Sequence, residues 1–156
     1  MRSSLGWIVL CVLYLGCPCF SQQITIRVID AGKGQPLGKQ QVSIQFLYGE
    51  REKPPENYKS PLQLETDASG QVEFRLPEPA PAHLEARARL TPERWRCGCV
   101  ALLATRELIQ NGFAGPDPVR GPTLPAGPVK ANPGEIVFVA RPLTFWGRLL
   151  YPFVKG

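Results

Sequence analysis

The feature that most constrains this chain is a period of two in its apolar residues. Ile24, Ile26 and Val28 alternate with Thr25 and Arg27, and Val42, Ile44, Phe46 and Tyr48 with Gln41, Ser43, Gln45 and Leu47. Val72, Phe74 and Leu76 alternate with Gln71, Glu73 and Arg75, and Leu84, Ala86, Ala88 and Leu90 with Glu85, Arg87 and Arg89. Successive side chains leave a strand on opposite faces, so each stretch reads as a strand with one face on a core and one in water. Such clean alternation is typical of antiparallel sheets. The expectation is therefore an all-β, antiparallel sandwich of about seven strands.

Between the strands lie turn formers. "DAGKGQPLG", residues 30–38, is a turn-rich link with three glycines and one proline. "TDASG" at 66–70 places Asp67 and Ser69 where they bond nearby backbone, and Gly70 where a positive φ is needed. A hairpin is expected there, leading into the 72–76 strand. "GEREKPPENYKSP" cannot form a helix or a central strand across Pro54 and Pro55. Leu62 and Leu64 make a short strand after it.

Beyond Thr91 the pattern changes. Trp95 and "CGCVALLA" are apolar, "ATRELIQNG" reads as one short helix ended by Asn111 and Gly112, and 115–133 reads as a long Pro/Gly loop. "GEIVFVAR" carries consecutive apolar residues at 136–139, which fits a strand buried on both faces. The end, "PLTFWGRLLYPFVKG", is an aromatic tail.

The first 21 residues read as an export signal rather than as part of the fold. Arg2 precedes a short apolar run over 5–15, too short for the roughly 20 residues that span a bilayer. Cleavage after Ser21 fits the small side chains of Cys19 and Ser21. Lipidation at Cys17, preceded by Gly16, is an alternative, and a retained anchor is a third. A single domain at 22–156 follows, long enough to bury its own core. The formal charge of +5 is scattered among acidic residues. No basic run interleaved with aromatics points to nucleic acid. Of five cysteines, Cys97 and Cys99 alone remain after the cut, which excludes a disulfide-rich scaffold.

Short strands punctuated by Gly and Pro suggest an Ig-like sandwich. "ITIRVIDAGKGQPLGKQQVSIQF" and then "TDASGQVEFRLP" resemble, in order and spacing, the opening of carboxypeptidase regulatory-like, or transthyretin-like, modules of the bacterial secreted type. The resemblance covers residues 24–90. It implies that Gly34, Pro36, Asp67 and Gly70 are structural turn residues. A departure from the family's enzymes is expected: residues 22–156 read as one module without a zinc peptidase domain, and 153–156 do not match the Tyr-Arg-Gly-Ser close of the purine-ring hydrolases.

Candidate sites are few. In a strand, Cys97 and Cys99 would share a face with Cα atoms roughly 6.6 Å apart. Two buried thiols, a bridge closed through Gly98, a redox pair and a soft-metal site all stay open, the structural readings foremost. His83 stands alone at a strand start and is expected on the surface. Phe145, Trp146, Arg148, Leu149 and Phe153 form an amphipathic tail that either packs on the sandwich or meets a partner or membrane. The function expected is a non-catalytic module, secreted or envelope-associated, that binds an unidentified protein or envelope polymer and uses no cofactor or metal. Membrane contact is expected only through a lipid or the tail. The rivals are a thiol-redox protein and a lipoprotein component of an envelope assembly.

Overall fold

The alternation turns into burial once the strands are placed. The computed structural model describes residues 22–49, 61–90, 95–96, 99–115, 123–124 and 127–142. The leader with Cys17, the loop at 50–60, Cys97 and the tail with Phe145, Trp146, Arg148, Leu149 and Phe153 lie outside the described residues. Seven strands have four or more residues: β1 (Gln23–Asp30), β2 (Gln41–Leu47), β3 (Leu62–Glu65), β4 (Gln71–Arg75), β5 (His83–Arg89), β7 (Val100–Ala104) and β11 (Glu135–Pro142). Four more are two residues long: β6 (Trp95–Arg96), β8 (Phe113–Ala114), β9 (Thr123–Leu124) and β10 (Gly127–Pro128). The helix α1 is Thr105–Asn111.

The strands form two main sheets. One runs β4-β1-β11-β6, with β8 also on β11, and the other runs β3-β2-β5-β7. Their inner faces close over a single core that includes Ile24, Ile26, Val28, Val42, Ile44, Leu84, Ala86, Ile136 and Phe138. Phe46 and Phe74 meet across the layers with ring centroids 6.1 Å apart and planes tilted at 58°. The all-β sandwich is thus the architecture of this chain, and α1 is its one helix among the described residues.

Three local expectations need correction. The sheets are not purely antiparallel, because β1 and β11 pair in parallel, with Ile26 opposite Ile136 and Val28 opposite Phe138. β11 is buried along Glu135 to Ala140, and its second face is covered by a smaller cluster in which Ile29, Ala31, Val137 and Val139 meet Ala114, Val129 and Ala131. That cover explains the continuous apolar run, which reports burial but not strand direction. Second, the turn at 66–70 is not a hairpin. β3 pairs with β2, while β4 pairs with β1 in the other sheet. The turn therefore carries the chain between the layers. Third, the 115–133 stretch is not wholly loop, since β9 and β10 form a small antiparallel ribbon.

The crossing turn is pinned to the β1–β2 link. Thr66 N–H donates to Gln40 O (2.9 Å), Lys39 N–H donates to Thr66 O (3.0 Å), and Gln40 N–H donates to Thr66 Oγ1 (2.9 Å). Gly70 has φ +72°, and a Cβ there would stand 2.8 Å from Val28 O and 2.9 Å from Leu37 N. Gly34 also has a positive φ, and Pro36 bridges to Ile29. At the C-terminal end of α1, Leu108 O accepts from both Gly112 N–H and Gly134 N–H, which ties the helix to the entry of β11.

Candidate functional site

With the apolar half of each strand in the core, the polar half forms two outer faces. On the four-stranded sheet, register aligns those side chains into rungs. Glu65, Gln41 and Arg89 lie on one rung, Gln63, Ser43, Arg87 and Val100 on the next, and Gln45, Glu85 and Leu102 on a third. A fourth joins Leu47, His83 and Ala104. A shallow depression of about 380 Å³ lies over the first two, lined by Gln41, Ser43, Gln63, Arg87, Arg89 and Val100, with Ala88 and Cys99 at its edge.

The electrostatics of this face are simple. Arg87 pairs with Glu85, and Lys39 Nζ lies 3.6 Å from Glu65 Oε1. Gln63 Nε2 donates to Ser43 Oγ at 3.0 Å. Arg89 is exposed and forms no ion pair with any described residue. The face thus offers a guanidinium with no counter-charge among the described residues, beside amide and hydroxyl groups. Such a surface can hold carboxylate, sulfate or phosphate groups by charge-assisted hydrogen bonds.

A second depression, about 350 Å³, lies on the outer face of the other sheet and is lined by residues including Gln23, Arg27, Gln71, Glu73, Asn132 and Glu135. Several of its polar groups are paired with one another. Arg27 Nε lies 2.8 Å from Glu135 Oε1, an ion-pair contact without the angle of a directed hydrogen bond. Glu135 Oε2 accepts from Asn132 N–H (2.8 Å) and Nδ2 (3.1 Å), and Gln23 donates to Glu73.

The residues singled out in the sequence fall into three groups. Asp67 does turn work: Oδ1 accepts from Ser69 N–H (2.8 Å), Ser69 Oγ (2.7 Å) and Gln71 N–H (3.0 Å). The Ser69 hydroxyl bond, then the Gln71 amide, hold its carboxyl below the usual carboxylate range, with help from the Ser69 amide and the Lys39 charge. Cys99 is 4% exposed and disulfide-bonded, so its sulfur is a bridge atom and not a free thiol. Cys97, the neighbour considered for it, lies outside the described residues. His83 is exposed at the start of β5, opposite Ala104, whereas Cys99 O accepts from Ala88 N–H. Five residues of strand separate the two, about 17 Å. The structure does not bring them together.

Sequence reasoning did not single out the Gln41, Gln63, Arg87 and Arg89 grouping. Each residue was legible as an outward position, but their adjacency depends on which strands pair.

No family model and no curated protein matches this chain. Among solved structures it is similar to 3-chlorocatechol 1,2-dioxygenase from Rhodococcus opacus 1CP, at 14% identity and a TM-score of 0.39. That alignment covers 78% of this chain, which spans 61% of the dioxygenase chain. A likeness at that level carries no argument for chemistry.

Proposed function

We propose that this protein is an exported, non-catalytic β-sandwich module of carboxypeptidase regulatory-like character that binds an anionic polymer of the cell envelope. The observation that carries this reading is Arg89, exposed without an ion-pair partner among the described residues and grouped with Arg87, Gln41, Ser43 and Gln63 on an open sheet face. A shallow, flat array of donors suits an extended chain of repeating acidic units better than a small molecule, which needs enclosure. Net positive charge supports the same sign of partner. A buried, disulfide-bonded Cys99 favours an oxidising compartment and a structural role for that cysteine.

The test is retention on a carboxylated polysaccharide, with alginate as probe and neutral dextran as control. Binding to alginate is expected to weaken with salt, and Arg89→Ala combined with Arg87→Ala is expected to weaken it about tenfold, roughly 1.4 kcal/mol. Equal binding to dextran, or no effect of the double variant, would contradict the proposal.

A further inference from the structure

Strand β7 ends the four-stranded sheet, and its sequence, VALLA, has no charged residue. Its ladder with β5 is anchored at both ends, by Ala88 N–H to Cys99 O (2.9 Å) and by Thr105 N–H to Ala82 O (3.0 Å). Antiparallel strands alternate residues bonded to the neighbour with residues whose backbone points away. The register therefore turns Ala101 and Leu103 toward β5, and Val100, Leu102 and Ala104 toward the open edge. Among the described residues, none forms a hydrogen bond with those three on the open side. Val100 and Leu102 are also the large apolar side chains most exposed among the described residues, at 58% and 64%.

Natural proteins blunt free sheet edges with charge, proline or a bulge. β4, the edge of the other sheet, carries Glu73 and Arg75, and β3 carries Glu65. β7 has none of these protections.

We propose that β7 is a self-association edge, which takes the β7 strand of a second copy of this chain in antiparallel alignment about a two-fold axis at Leu102. In that register Leu102 faces its counterpart and Val100 faces Ala104 of the other copy. Every outward N–H and C=O of the three residues then gains a partner, which satisfies the whole free edge. A two-fold axis brings identical residues face to face, so a charge on the strand would meet itself. The neutral strand fits this requirement. On the central rung the like charges, Glu85 on each copy, would stand three strand spacings apart, about 14 Å and beyond the screening length at physiological salt. The result would be one continuous eight-stranded sheet. A five-residue edge falls below the roughly 1,200 Å² of a stable interface, so the dimer is weak and concentration-dependent. The inference stands apart from the polymer-binding reading.

Sedimentation and residue-resolved hydrogen exchange of the purified protein, between about 10 μM and about 1 mM, test it. The expected result is a monomer that dimerises across this range, with amides of Val100, Leu102 and Ala104 gaining protection only in the dimer. Leu102→Lys is expected to weaken dimerisation at least tenfold while leaving protection in β1 and β11 unchanged. Gln63→Lys, the same charge change on β3, is expected to have no effect. A monomer throughout, a dimer in which those three amides exchange as before, or a Leu102→Lys protein that dimerises normally would each overturn the assignment. Protection of the three amides only on adding an unrelated extended peptide would likewise overturn the choice of a second copy.

Discussion

The two outer faces of the sandwich are built from the same alternation and end in opposite states. On the β1–β11 face, Glu135 serves Arg27 and Asn132, Gln23 bonds to Glu73, and the second face of β11 is covered by the cluster around Val137 and Val139. On the β2–β5 face, Arg89 has no ion-pair partner among the described residues, and Val100 and Leu102 are exposed. The difference teaches where polar side chains serve the fold and where they are available to something else. A polar group that closes a local network is unavailable to a ligand at no structural loss. One left open is removable without harm to stability.

That contrast can be broken most forcefully at Glu135. Its carboxylate is 10% exposed and serves both Arg27 and the 132 backbone. Glu135→Ala would leave the half-buried Arg27 without its counter-charge, and a loss of about 2 kcal/mol is expected in chemical denaturation. Arg89→Ala on the opposite face is expected to change stability by no more than about 0.5 kcal/mol. Equal losses at the two sites would erase the distinction.

A smaller effect is expected at the turn that joins the layers. The folded Asp67 carboxyl lies below its ordinary value, first through the Ser69 hydroxyl. Its ionised form therefore stabilises the fold above the unfolded value, about 3.9, and that contribution fades as pH falls through the lowered folded value. Asp67→Asn is expected to melt below the parent protein at about pH 6, and the gap is expected to narrow by about pH 3. A gap independent of pH would show that the charge is irrelevant.

Much of the sandwich was legible because half-buried strands write their orientation into every second residue. Ile24 to Val28, Val42 to Phe46 and Leu84 to Ala86 needed only that rule. Partner choice was not legible. Val72 to Leu76 alternate identically whether β4 folds back on β3 or crosses to β1, and only the long-range bonds of Thr66 and Gly70 decide. The run at 136–139 announced burial on two faces but could not show that its neighbour lies parallel and more than a hundred residues earlier. Apolar character alone did not place β7, where Val100 and Leu102 face solvent. The candidate site has the same origin. Gln41, Gln63 and Arg89 come from three strands, and no spacing in the sequence ties them together.

The decisive measurement is a backbone-resolved NMR titration of the protein with alginate oligosaccharide. Shifts are predicted to concentrate at Gln41, Ser43, Gln63, Arg87 and Arg89, with Arg27, Glu73 and Glu135 unmoved. Shifts centred on the Arg27–Glu135 face, or no saturable shift at all, would contradict the assignment of the β2–β5 face as the binding surface.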